Sequence, residues 1–152
     1  MDGRNFLVVL ALIAVPTTLC AQGEGTPSCP DSAATQFAMH VCANQAYMQS
    51  QTALDGLLRE LQEALAPAPG ELDRRSSLDS AQTAWLNYAK HQCAFEASAY
   101  EGGSMMPMIQ LNCLTAHTNA RILELAPELC QGSPDGVCPE ATRYRGAVTR
   151  TD

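Results

Sequence analysis

Apolar residues recur at helical spacing through most of the chain, and the alternating pattern of strands is nearly absent. This pattern predicts three helices, over residues 35–66, 71–101 and 105–125, the first of them capped by Thr35. The proline-rich segment 67–70 separates the first two, because proline cannot continue the helical hydrogen-bond ladder. The glycine pair 102–103 separates the second from the third, because glycine readily adopts the left-handed conformation that ends helices.

Each predicted helix has one apolar face that we expect to form the core. These core positions are Leu54, Leu58, Leu61 and Leu65 on the first helix, Leu78, Ala81, Trp85, Tyr88, Gln92, Phe95 and Ala99 on the second, and Ile109, Cys113, Ala116, Ala120 and Leu123 on the third. Residues from about Glu140 onward have little apolar content, which predicts a disordered end. The predicted fold is all-α: a small disulfide-stapled bundle of about three helices with an antiparallel helical hairpin.

The N-terminus has the features of a secretory signal peptide. A charged start precedes a short apolar run, and small or polar residues follow. The run is too short for a spanning helix, which needs about 20 apolar residues. Cleavage near Ala21 would remove Cys20. A lipidated Cys20 is the alternative, which Leu19 disfavours because lipoprotein signals require a small residue there. The predicted organisation is a signal peptide over 1–21, a helical domain over 29–128, and a disulfide loop with a disordered tail over 129–152.

The cysteines predict disulfides in an exported protein. The chain has seven, and removal of Cys20 leaves an even number. Six cysteines allow 15 pairings, so the sequence alone does not choose among them. Cys93 and Cys113 each lie ten residues from Gly103 and would meet across a helical hairpin. The turn-rich loop between Cys130 and Cys138 favours a disulfide between these two cysteines. By elimination, Cys29 pairs with Cys42. These bonds would place the protein in the periplasm or outside the cell.

The charge balance limits the choice of partners. The formal net charge is −7, which repels nucleic acid and anionic lipid and attracts basic proteins. Ordinary solubility is the alternative explanation for such a surface.

Candidate catalytic chemistry is sparse. His40, His91 and His117 each stand alone on a predicted helix, and no Gly-x-Ser-x-Gly motif is present. No Cys-x-x-Cys or His-x-x-x-His spacing indicates a metal site. We therefore predict no enzyme, no metal and no cofactor. An enzyme would require histidines and carboxylates to converge in the folded chain.

Several motifs occur in a characteristic order. They are Met39-x-x-Cys42-Ala43-x-x-Ala46-Tyr47, Ala81-Gln82-x-Ala84-Trp85-Leu86-x-Tyr88, Cys93-Ala94-Phe95-Glu96, Gly102-Gly103-Ser104-Met105-Met106-Pro107-Met108, and Cys113-Leu114-Thr115-x-x-Thr118-x-x-Arg121-x-x-Glu124-Leu125. From Cys29 to Leu125 the chain resembles the LprI-like lysozyme-inhibitor family. The resemblance implies an exported helical domain and inhibition of lysozyme. It departs from the family at Gln51, Asp55 and Ala89, where Asp, Asn and Arg are usual.

The resemblance marks Gln82, Trp85, Thr118 and Arg121 as family motif residues. The simplest structural interpretation is that Trp85 anchors the core and that Arg121 pairs with Glu96 or Asp79.

Two functional hypotheses follow. The first is an acidic inhibitor that contacts a basic lysozyme-type muramidase through the protruding, Met-rich hairpin tip. The predicted contact residues are Glu101, Gly102, Gly103, Ser104 and Met105. The second is a non-inhibitory structural or stress-related interaction module of the cell envelope.

Overall fold

A computed structural model describes Cys29 and residues 35–65, 73–130 and 139–148. The described residues are all-α and contain no strand, which confirms the predicted fold class. The helices are α1 (Gln36–Ala64), α2 (Arg74–Ser98), α3 (Met106–Leu125) and α4 (Pro139–Val148), with a short 3₁₀ helix (Ala126–Cys130) after α3. The predicted signal peptide lies outside the described residues and remains a prediction.

Side-chain caps define where the first two helices begin. The hydroxyl of Thr35 accepts a hydrogen bond from the backbone N–H of Ala38 at 3.1 Å. The carboxylate of Asp73 accepts one from the N–H of Ser76, also at 3.1 Å. Each cap satisfies an N–H group that has no partner inside its own helix. The cap at Thr35 is the one that the sequence predicts.

The three long helices have a simple topology in which α3 packs against both α1 and α2. The side chain of Gln36 at the start of α1 reaches the carbonyl of Ser104 just before α3. Halfway along the same pair, Ser50 donates a buried hydrogen bond of 2.8 Å to Asn119. Helices α1 and α3 therefore run parallel, and α2 runs antiparallel to both. The turn between α2 and α3, residues 99–105, lies at the same end of the bundle as the start of α1; we call this turn the tip.

The apolar core lies at the other end of the bundle, which we call the base. Its buried members are Leu54, Leu57, Leu61, Ile122, Leu125, Ala126, Ala141, Tyr144 and Val148. Leu57 is completely buried although it was not among the predicted core positions.

The predicted inner face of α3 is partly wrong. Ala116, Ala120 and Leu123 are exposed, and the face that packs against α1 is rotated. The buried side chains of α3 are Thr115, Thr118, Asn119, Ile122 and Leu125. Three of these are polar, so apolar periodicity does not identify them. Thr115 and Thr118 are accommodated because their hydroxyls donate to the backbone carbonyls one turn earlier.

The predicted stripe of α2 is also only partly correct. Leu78, Trp85 and Gln92 are half-buried, but Ala81, Tyr88, Phe95 and Ala99 are exposed. The residues of α2 that are fully buried are Ala89, Cys93 and Ala97. Small side chains allow close approach of α2 and α3, so the larger apolar residues at neighbouring positions are left outside the contact.

The prediction of a disordered end from about Glu140 is wrong for residues 139–148, which form α4. Pro139 is tolerated at the first helical position because its missing N–H is not needed there. Ala141, Tyr144 and Val148 then follow at helical spacing, and all three are buried in the base. Tyr144 also donates a hydrogen bond of 2.9 Å to Glu60 on α1. The overall composition of this segment is polar, but three apolar side chains on one face are enough to bury the helix against the base.

The structure confirms two predicted disulfides, Cys29–Cys42 and Cys93–Cys113. Cys130 is also disulfide-bonded. Cys138 lies outside the described residues, so the Cys130–Cys138 pairing remains a prediction. Among the helices that the structure describes, none combines the length and apolarity needed to cross a bilayer.

Candidate functional site

The tip is an exposed turn with a defined backbone. Gly102 has φ +77°, a left-handed conformation that side-chain-bearing residues rarely adopt. At Gly103, a Cβ atom would lie 3.1 Å from the carbonyl oxygen of Tyr100, which itself accepts the N–H of Gly103 at 2.9 Å. The turn therefore favours glycine at 102 for its backbone conformation, and a side chain at 103 would crowd the Tyr100 carbonyl. All five predicted contact residues, Glu101, Gly102, Gly103, Ser104 and Met105, are exposed.

The tip also presents backbone hydrogen-bond donors. The N–H groups of Tyr100, Glu101, Gly103 and Met106 are used within the turn. Within the described part of the chain, the N–H groups of Ser104 and Met105 have no acceptor, and no side chain caps α3. These donors lie at the N-terminus of α3, where the helix dipole favours negative charge. The tip is thus suited to accept a carboxylate from a partner.

Exposed apolar side chains occur at the same end of the bundle as these donors. Met105 is 41% exposed, and Tyr100 on the α2 side of the turn is exposed to a similar degree. Phe37, in the first turn of α1, is 79% exposed. Because the Gln36 side chain contacts Ser104, α1 begins beside the tip and adds Phe37 to that end of the bundle. Phe37 was not among the predicted contact residues, since no periodicity distinguishes an exposed phenylalanine from a buried one.

The structure brings together three of the four family motif residues. Arg121 on α3 donates through Nε to Gln82 on α2 at 3.3 Å. Its guanidinium lies 5.9 Å from the centre of the Trp85 ring, within range for a cation–π interaction. It also pairs with Glu124 at 3.1 Å. The predicted acidic partner is therefore wrong: the partner is Glu124, one turn away on the same helix, rather than Glu96 or Asp79.

The fourth motif residue has a different environment. Thr118 is almost completely buried, and its hydroxyl donates to the carbonyl of Leu114 at 2.7 Å.

Arg121 lies on the wall of an open cleft of about 370 Å³ near the base. Along α3, about 24 Å separates Arg121 from the tip, at 1.5 Å per residue. The motif cluster of Gln82, Trp85 and Arg121 joins α2 to α3, and the tip is a separate surface.

A family model described as Lysozyme inhibitor LprI matches residues 29–125. The chain belongs to the LprI family. The matched residues include α1, α2, the tip and α3, and α4 lies beyond them. No curated protein and no solved structure matches the chain.

The structure shows the environments of two positions at which the chain departs from the family pattern, Gln51 and Ala89. Gln51 donates to the hydroxyl of Tyr47 at 2.8 Å, a role that the usual aspartate cannot perform when ionised. Burial, followed by the nearby charge of Asp55, raises the pKa of Tyr47 above its ordinary value of 10.0. Ala89 is buried in α2, at a position where arginine is common in the family.

Proposed function

We propose that this protein acts outside the cytoplasm as a binding inhibitor of a lysozyme-type muramidase and has no catalytic activity of its own. The observation that carries the proposal is its membership of the LprI lysozyme-inhibitor family. The disulfides support an extracytoplasmic location, because such bonds persist in oxidising compartments.

The tip is the surface that best fits such an inhibitor. Lysozyme-type enzymes cleave a glycosidic bond with two carboxyl groups that flank a substrate cleft. A narrow turn that presents the N–H groups of Ser104 and Met105 can enter a cleft and donate to a carboxylate. Gly102 and Gly103 carry no side chain that would block the approach. The expected effect is occlusion of the cleft without any reaction.

Apolar anchors beside the tip would supply much of the affinity. Aromatic residues and methionine are enriched at the centres of protein interfaces, where they are fully desolvated on binding. Phe37, Tyr100 and Met105 have large exposed areas in the free protein, so burying them against a partner is favourable. We place the contact surface at these three residues and the turn between them.

The net charge would favour a basic partner. At −7, the chain attracts positively charged proteins at long range and raises their association rate. This contribution is screened by salt, whereas contacts at the tip are screened much less once water is excluded. The rate constant for association with a basic muramidase should therefore fall as the ionic strength rises.

An inhibition assay with matched variants tests the proposal. The mature, oxidised protein is titrated into lysozymes of animal and bacterial origin, and hydrolysis of cell walls is followed. We expect loss of activity with the wild type and at least about tenfold weaker inhibition with Met105→Glu or Phe37→Ser. Met48 is 57% exposed on α1, about three turns from Phe37, so Met48→Glu and Met48→Ser are the controls. Full muramidase activity at a large molar excess of wild type would contradict the proposal.

A further inference from the structure

A second group of reactive side chains lies on the hairpin, with Cys93 five residues before the end of α2 and Cys113 seven residues after the start of α3. The sulfur atoms of Cys93 and Cys113 and a ring nitrogen of His117 all lie within 4.8 Å of one another. No other group of three potential metal-ligating side chains was found among the described residues. In the oxidised protein the two sulfurs are bonded to each other and cannot bind a metal as thiolates.

The helices determine this arrangement. Cys113 and His117 are four residues apart on α3, so their side chains share one face of the helix. Cys93 meets that face from α2 across the hairpin. Cys93 is completely buried, and the other two are half-buried, so the group is largely shielded from water. The His117 ring packs edge-to-face on Tyr88, with 5.5 Å between ring centres, which restricts its orientation.

We propose that reduction of Cys93–Cys113 converts this staple into a Zn²⁺ site with ligands Cys93, Cys113 and His117. A dithiol reductant transfers two electrons and two protons to the disulfide and becomes a disulfide itself, leaving two thiols in the hairpin. Binding of Zn²⁺ then displaces both thiol protons and adds one imidazole nitrogen. The metal would hold α2 against α3 in place of the covalent bond.

The ligand set and spacing suit zinc. Two thiolates and one imidazole, with a fourth position open to water, form a known zinc coordination class. Tetrahedral zinc, with bonds of about 2.0–2.3 Å, places its ligand atoms about 3.5–3.8 Å apart. In the disulfide the two sulfurs are bonded to each other, so reduction must let them separate to this spacing, whereas the imidazole nitrogen already lies within 4.8 Å of both. The sequence signal is Cys113-x-x-x-His117, which a search for paired histidines or Cys-x-x-Cys does not detect.

Cobalt binding provides a direct test. The mature protein is reduced with a phosphine, which does not compete for metal as thiols do, and titrated with Co²⁺ as a spectroscopic substitute for zinc. We expect a thiolate-to-cobalt charge-transfer band with one equivalent bound, and no band for the oxidised protein. Zn²⁺ should displace the cobalt. Absence of the band in the reduced protein would overturn the proposal.

Variants assign the ligands. His117→Gln should weaken cobalt binding at least about tenfold, and Cys93→Ser with Cys113→Ser should abolish the band. His91→Gln, at an exposed histidine on the same hairpin, and Cys29→Ser with Cys42→Ser should leave it unchanged. Equal affinity in His117→Gln and wild type would overturn the assignment.

If reduction unfolds part of the chain, the melting temperature measured with and without Zn²⁺ still tests the site. Zn²⁺ should raise the melting temperature of the reduced wild type and leave that of reduced His117→Gln much less changed. An equal rise in both proteins would contradict the site.

Discussion

Helices α2 and α4 both lie at the periphery of the bundle, but different forces hold them. Helix α4 inserts Ala141, Tyr144 and Val148 into the base, so apolar burial attaches it. Helix α2 is longer, yet only Ala89, Cys93 and Ala97 are fully buried. Its larger side chains Phe95 and Tyr88 are exposed. The bond between Cys93 and Cys113 therefore compensates for a modest packing contribution.

The base and the hairpin therefore have different roles: the base stabilises the fold, and the hairpin presents the tip. Packing stabilises the base, which needs no partner. The hairpin is stabilised by a covalent bond and by the contacts of Arg121 with Gln82 and Trp85, so its tip can remain open. An exposed tip contributes little to folding, which leaves its residues available for binding.

The largest expected effect concerns packing at the base. Leu57 is completely buried, so Leu57→Ala should lower the free energy of unfolding by about 3–4 kcal/mol through lost burial and cavity formation. Leu86→Ala on α2, where the side chain is about half exposed, should cost well under about 1 kcal/mol. Urea unfolding monitored by circular dichroism measures both. Similar losses in the two variants would remove the contrast between base and hairpin.

Removing the staple should have a slightly smaller total effect and a more local consequence. For a disulfide that joins residues 20 apart, the chain-entropy model gives about 3 kcal/mol. Cys93→Ala with Cys113→Ala should therefore destabilise the fold by about this amount, and hydrogen exchange should quicken first in α2. Trp85, the single tryptophan, lies on α2 and reports its detachment by fluorescence. An equal loss of hydrogen-exchange protection in α1, α2 and α3 would contradict the claim that the disulfide mainly holds α2.

The polar contacts that attach α4 to α1 should contribute less to the free energy of unfolding than the disulfide does. Tyr144→Phe removes a hydrogen bond to the Glu60 carboxylate and should cost about 1–2 kcal/mol. The ion pair of Arg143 with Glu60 is largely exposed, so Arg143→Gln should cost under about 1 kcal/mol. Thermal unfolding of the two variants gives the order. A larger loss for Arg143→Gln would show that the surface charges, and not the tyrosine, fasten α4.

Alkaline pH should weaken the same contact. Burial, followed by the hydrogen bond to Glu60, raises the pKa of Tyr144 above its ordinary value of 10.0. Folding therefore favours the neutral phenol. The associated stability is fully present below pH 10 and is lost as the pH rises through the raised pKa of the folded state. Urea midpoints above pH 10 should fall less steeply for Tyr144→Phe than for wild type. Equal slopes would contradict this linkage.

The smallest predicted effect tests the fit between α1 and α4. A Cβ on Gly56 would lie 3.3 Å from the Tyr144 hydroxyl oxygen, with the next nearest atom at 4.0 Å. Alanine otherwise stabilises a helix by about 1 kcal/mol relative to glycine. Gly56→Ala should therefore be more stabilising, by several tenths of a kcal/mol, in the Tyr144→Phe background than in wild type. A double-mutant cycle measures the difference, and strict additivity would refute the contact.

The sequence predicted the features that depend on local chemistry. Thr35 as a cap, the glycine turn and the Cys93–Cys113 bond follow from residue type and spacing, and the structure contains all three. The sequence failed where tertiary contacts decide. Small buried residues rotate α2 so that Phe95 is exposed, and buried threonines on α3 satisfy their hydroxyls locally.

The candidate site also has features that local sequence predicts and features that depend on tertiary contacts. The tip could be selected because glycine and methionine occur beside a turn. Phe37 could not, because α1 reaches the tip only through the parallel packing of α1 and α3. The family resemblance selected Gln82, Trp85 and Arg121, but their meeting and the Glu124 partner required coordinates.

Hydrogen exchange of the mature protein with and without a bound muramidase tests the central claim most directly. The account predicts slower exchange on binding in peptides that contain the tip, residues 99–105, and the first turn of α1 at Phe37, with no change in α4. Protection confined to the base or to α4, or no protection at saturating muramidase, would contradict it.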